Sequence, residues 1–133
     1  MSHQPVVLRL ADLAWESWDD GDTARRGDVV WKTLFTGERT ATGELTAGVA
    51  KVPPGGSLAR HRHAQAEIYL VLAGVGVVEI DDRPYQVAAG TALFIPGDAY
   101  HRVSNPGPGE LHFFYAFAAD RFEQIQYFFE GIS

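Results

Sequence analysis

The chain has 133 residues and a mass of 14.6 kDa, the size of a single domain. Hydrophobic residues make up 46% and charged residues 21%, which excludes an intrinsically disordered or fibrous chain. Eleven Lys and Arg against seventeen Asp and Glu give a formal net charge of −6, arguing against nucleic acid or an anionic membrane surface as a partner, and the absence of cysteine removes disulfides, thiolate zinc ligands and a cysteine nucleophile together.

Residues 1–28 read as an N-terminal extension packed on the outside of the domain. Val6-Val7-Leu8 is followed at once by Arg9 and Asp12, so no secretory hydrophobic region is expected there, and Trp15 and Trp18 stand among acidic and small residues. From residue 29 onward strand signals dominate. Short apolar runs at 29–35, 45–52, 67–73, 75–80, 85–88, 92–95 and 111–118 are separated by turn formers such as Pro53-Pro54-Gly55-Gly56, Asp81-Asp82-Arg83-Pro84 and Asn105-Pro106-Gly107. No segment between them is long and periodic enough for a crossover helix, so residues 29–119 are expected to form an all-β antiparallel sandwich or barrel. Asp120–Glu130 predicts one short helix, with Asp120 as its cap, Glu123 as the capping-box partner and Phe122, Ile125, Phe128 and Phe129 on one face. Residues 120–133 are thus read as a C-terminal helix and tail. The longest stretch free of charge, 84–97, contains two prolines and falls short of the roughly 20 apolar residues a membrane-spanning helix needs. The cytoplasm is the expected compartment.

His61, His63 and Glu67 are spaced by two and four residues. In an uninterrupted extended strand alternate residues share a face, so 61, 63, 65, 67 and 69 would point the same way. His101 follows the turn 96–100 and is placed to close the set from a neighbouring strand. Imidazoles joined by a carboxylate suit one divalent transition metal (Fe, Mn, Ni, Zn, Co or Cu), with positions left open for substrate or water. The pair His61-Arg62-His63 taken alone also reads as solvent-facing histidines in a polar loop.

The pattern extends well beyond that pair. Gly55, His61, His63, Glu67 and Gly74 meet the first cupin motif, and Gly90, Pro96, His101 and Asn105 meet the second, so the chain resembles the cupin superfamily. One departure is Asp98, where the family usually has glycine. The resemblance implies a single-domain jelly-roll β-barrel holding a metal by His61, His63, Glu67 and His101. The segment Glu67-Ile68-Tyr69 is similar to that of the cupin dimethylsulfoniopropionate lyases, in which the tyrosine is the base of a β-elimination. What this implies is a metal-dependent enzyme acting on a small carboxylate-bearing substrate, with Tyr69 and Glu67 as its candidate catalytic residues. Two alternatives stay open: an iron-dependent dioxygenase, and a cupin that binds a metal or small ligand without turnover.

The strand 111–117 can present either of two sets inward. The larger apolar set, Leu111, Phe113, Tyr115 and Phe117, is the expected one, leaving His112 outside. Ile68, Leu70 and Leu72 face outward on the motif strand, which is therefore apolar on both sides and expects a cover. A second subunit is the expected cover, as small cupins commonly dimerise. Tyr127-Phe128-Phe129 is read as packing on the barrel or a partner, Arg60 and Arg62 as solvated surface, and His3 as part of the terminus.

Overall fold

A computed structural model of the chain describes residues 4–18 and 22–130. Its ten strands are β1 (Val30–Phe35), β2 (Thr46–Val52), β3 (Ser57–Arg62), β4 (Glu67–Ala73), β5 (Val75–Ile80), β6 (Arg83–Ala88), β7 (Ala92–Ile95), β8 (His101–Ser104), β9 (Leu111–Phe117) and β10 (Phe128–Phe129). They form two five-stranded antiparallel sheets, one in the order β1-β2-β9-β4-β7 and the other β10-β3-β8-β5-β6. The all-β architecture expected from the turn-punctuated apolar runs is the one observed. The chain crosses repeatedly between the sheets, and their inner faces meet on a core that includes Val52, Val71, Val78, Ile95, Val103 and Leu111. Fully burying a side chain of this size contributes about 1.5–3 kcal/mol, so these few alone outweigh any single polar contact below.

The period-2 burial of β9 puts Leu111, Phe113, Tyr115 and Phe117 inside, as expected. His112 lies outside, where it meets Glu110 at 3.3 Å and the edge of the Trp15 ring.

Three strands lie outside the apolar runs: β3, β8 and β10. Ser57–Arg62 and His101–Ser104 are too polar to announce themselves, because they carry the site. The third replaces the C-terminal helix. Phe122–Gln124 forms one 3-10 turn, and Phe128–Phe129 then pairs antiparallel with β3, Phe128 opposite Arg62 and Phe129 opposite His61. Asp120 does not cap a helix. Its carboxylate accepts the Glu44 amide, while the Phe122 amide is taken by Thr36 Oγ1 and Glu38. The aromatic run Tyr127-Phe128-Phe129 favours strand geometry, and the open edge of β3 gives it backbone partners that an isolated short helix lacks. Residues 131–133 of the tail, residues 1–3 with His3, and residues 19–21 of the N-terminal extension lie outside the described residues.

The N-terminal segment lies along β1 through a two-way backbone bridge between Glu16 and Trp31. The Glu16 carboxylate accepts from Thr33 Oγ1 at 2.7 Å and from both terminal nitrogens of Arg39 at 3.1 and 2.7 Å. The paired Arg39 guanidinium holds the Glu16 carboxyl below its usual range.

Candidate active site

Residues 61–69 do not form one uninterrupted strand. β3 and β4 belong to different sheets, and the chain crosses between them at residues 63–66. Strict alternation from Leu58, which is buried, would aim Arg60 and Arg62 inward. A register shift between Leu58 and His61 on β3 adds one residue relative to β8, so His61 points inward opposite His101. β-Bulges re-aim side chains in this way. His63 follows in the crossing loop, and Glu67 opens β4. The four side chains converge although no one strand carries them.

The turn before β8 locks this crossing. A Cβ on Gly97 would stand 2.3 Å from the Ala64 carbonyl oxygen, so only glycine lets the two loops approach this closely. Asp98 occupies the left-handed region with φ +62°, a conformation that Asp tolerates better than most residues. Its amide donates to the His63 carbonyl at 2.7 Å and its carboxylate meets Arg62 at 3.1 Å. The departure from the cupin motif at Asp98 therefore leaves the turn intact and ties it to the ligand loop. Arg60 pairs with Asp82 and Glu130 at the surface.

His61, His63 and His101 are each 1% exposed and Glu67 is 4% exposed. In each ring Nδ1 faces a carbonyl: Ala59 at 2.7 Å, Gln65 at 3.0 Å and Ala99 at 2.9 Å. A carbonyl only accepts, so Nδ1 carries the proton and Nε2 carries the lone pair. The ligand nitrogens of the three histidines lie within 4.8 Å of one another. Glu67 Oε1 stands 3.2 Å from Nε2 of both His63 and His101, and all three atoms are buried without a hydrogen-bond partner. Imidazole nitrogens and a carboxylate oxygen converging at that distance suit a shared cation. Two ligands each about 2.1 Å from one ion stand roughly 3 Å apart, as these do. Burial, reinforced by the neighbouring His101, holds the His61 imidazole well below its ordinary pKa, so it is neutral and ready to ligate. The four residues fit a divalent transition metal, and the backbone carbonyls behind them fix ring orientation.

The site opens on a cavity of about 200 Å³ with mostly apolar walls. Trp31, Ala50, Tyr69, Phe113 and Tyr115 line it from the sheet containing β4, and Trp18 and Tyr127 line it from the two terminal segments. Tyr69 projects into the cavity, as strand parity from Glu67 predicts, with its ring centroid 6.3 Å from His101 and 4.5 Å from Phe113. Burial and then the Glu67 charge push the Tyr69 phenol well above its ordinary pKa in the metal-free chain. Gln65 turns away from the cavity and donates to the Gln124 carbonyl at 3.2 Å.

Sequence reasoning missed Tyr127 and Trp18. The Tyr127 ring lies 5.7 Å from His61 and 5.5 Å from His63, a position hidden when 120–130 is read as a helix. Alternation of Tyr127 and Phe129 about the exposed Phe128 was the available signal.

Two antiparallel sheets closing on a buried three-histidine, one-carboxylate cluster define a metal-site β-barrel. The chain belongs to the cupin family, whose cupin-domain model matches residues 48–117. It is similar to the dimethylsulfoniopropionate lyase DddW of Ruegeria pomeroyi, with 46% identity over 103 residues covering 77% of this chain and 67% of that protein. A Thermotoga maritima structure described as a predicted oxalate decarboxylase superposes with a TM-score of 0.74 at 25% identity, covering 86% of this chain and 99% of that one. The polyketide cyclase RemF of Streptomyces resistomycificus shares the fold, with a TM-score of 0.79 at 19% identity over 98% of this chain and 88% of that one. Among the described residues no helix is long and apolar enough to cross a membrane.

Proposed function

We propose that this cupin is a metal-dependent lyase that cleaves dimethylsulfoniopropionate to dimethyl sulfide and acrylate. The observation that carries the reading is Tyr69, a phenol in an apolar cavity two residues from the ligand Glu67 and beside His101. The similarity to DddW supports the same reaction. A divalent ion held by His61, His63, Glu67 and His101 supplies Lewis-acid chemistry, drawing charge from the substrate carboxylate, acidifying the adjacent C–H and favouring an ionised phenol nearby. Tyr69, as phenolate, takes the proton from the carbon next to the carboxylate. The C–H electron pair becomes the C=C bond, the C–S bond breaks, and its pair leaves on sulfur. One proton ends on Tyr69 and passes to solvent. The aromatic wall excludes water and accommodates the two S-methyl groups.

The test strips the protein with a chelator, reloads it with Fe, Mn, Co, Ni, Cu or Zn in turn, and measures headspace dimethyl sulfide and acrylate. Equimolar products with at least one metal, lost again on chelation, are expected. Oxygen uptake in place of sulfide release would make the chain a dioxygenase. Retention of the compound unchanged would make it a binding protein.

We further propose that the working form is a homodimer. Ile68, Leu70 and Leu72 on β4 and Phe94 on the neighbouring β7 are 46%, 39%, 46% and 66% exposed on one outer face. A second copy of the same self-complementary face covers them most economically. Light scattering should give close to twice 14.6 kDa. An Ile68→Lys, Phe94→Lys double variant should run as a monomer, and a wild-type monomer would end this part of the reading.

A further inference from the structure

The wall of the cavity contributed by the N-terminal segment holds a polar group with no assigned task. Trp18 stands edge to face with Trp31, Tyr127 and Phe129 at 5.1, 5.4 and 5.3 Å, and the Arg26 guanidinium lies over its ring at 5.4 Å. The indole is thus packed by three rings and a cation. Its Nε1 is buried and has no hydrogen-bond acceptor among the described residues. Buried donors in folded proteins are almost always paired, and an indole N–H can only donate. The residue lines the same cavity as His61, Glu67 and Tyr69.

The position of Trp18 is built in. Two residues upstream, the Glu16 amide donates to the Trp31 carbonyl at 2.6 Å and the Trp31 amide donates back at 3.0 Å. The Glu16 carboxylate is held from the other side by Thr33 and by the paired nitrogens of Arg39.

We propose that Trp18 is a substrate-binding residue, its indole N–H donating to a carboxylate oxygen of the ligand in the cavity. A donor with no lone pair selects an acceptor, and a carboxylate makes that bond charge-assisted. Trp31, Tyr127 and Phe129 set the angle of the indole. Glu16 and Arg39 are positioning residues that act through it. The inference rests on the cavity being the substrate site and is independent of which bond is broken there.

The experiment uses ¹⁵N-labelled, zinc-loaded protein titrated with propionate and, separately, with dimethylsulfoniopropionate. The chain has three tryptophans, so three indole N–H signals are available, and Trp15→Phe and Trp31→Phe identify the other two by elimination. The Trp18 signal should move downfield with either carboxylate, while that of Trp15, on the outside against Lys32 and Lys51, stays in place. A Trp18 signal unmoved by both compounds overturns the proposal. Trp18→Phe keeps an aromatic ring and loses only the donor. It should weaken propionate binding by about tenfold with metal content unchanged, the effect of one lost hydrogen bond to a charged group. Unchanged propionate affinity in that variant also overturns it. Should Trp18→Phe not fold, the wild-type titration decides. Absence of dimethyl sulfide release together with a shifted Trp18 signal removes the lyase reading and leaves Trp18 as a ligand contact. Sulfide release with a static Trp18 signal does the reverse.

Discussion

Phenylalanine at position 69 should leave the barrel folded and the metal bound while lowering kcat for dimethyl sulfide release by about 100-fold or more, a usual contribution from a general base. The ring packing of Tyr69 on Phe113 at 4.5 Å survives the change, so the loss belongs to the hydroxyl alone. It should fall on kcat more than on KM, because proton abstraction is felt in the transition state. Only the phenolate can take the proton, so the wild-type rate should climb with pH as the hydroxyl ionises. That climb should be missing in Tyr69→Phe. Headspace kinetics across pH, paired with metal analysis of both proteins, decide the matter. A variant that turns over at the wild-type rate would reassign the base, and Tyr127, a phenol on the other side of the same cavity, would be the next residue to replace.

The second large effect is expected at the ligands. His63→Ala removes one of the four groups around the cation position. Removing a group that merely orients a metal ligand commonly costs about 10–100-fold in metal affinity, so loss of a direct ligand should exceed about 100-fold. Metal content per chain after dialysis should drop to a small fraction, and far-UV circular dichroism should remain that of a β protein. The cost to the metal-free fold should be smaller than the roughly 2–5 kcal/mol typical of large buried truncations. Nε2 of His63 faces Glu67 Oε1 at 3.2 Å at the cation position, so the substitution removes a polar group of the site and not a piece of the apolar core. Full stoichiometric metal in His63→Ala would place the ion elsewhere.

How far the residues announce this site follows from what each strand needs. The apolar strands were readable because burial writes itself as alternation: β9 reads inward at every second position from Leu111 to Phe117. The ligands were readable because imidazoles and a carboxylate at fixed spacing have little other use. Their geometry was not. Parity along one strand predicts a shared face for His61, His63 and Glu67, and the shared direction arises instead from a bulge in β3 and a crossing between sheets. A bulge is set by backbone pairing with β8, some 40 residues away, and has no local signature in Ser57–Arg62. The C-terminal segment misled for a related reason. Phe122, Ile125, Phe128 and Phe129 are compatible with a helical stripe, and only the presence of an unpaired β3 edge turns Phe128–Phe129 into a strand and sends Tyr127 into the cavity.

Residence of His61 and His101 on one sheet and of most of the cavity wall on the other makes two properties separately adjustable. His61 and His101 sit on β3 and β8, with their orienting carbonyls at Ala59 and Ala99, whereas Trp31, Ala50, Tyr69, Phe113 and Tyr115 sit on β1, β2, β4 and β9. Glu67 is the single ligand contributed from that second group of strands. Enlarging or polarising the chamber at Ala50 or Phe113 would alter which molecule is admitted and leave the ion-holding apparatus untouched. A lineage built on such a scaffold can exchange one substrate for another by a few wall substitutions, retaining its inorganic chemistry throughout.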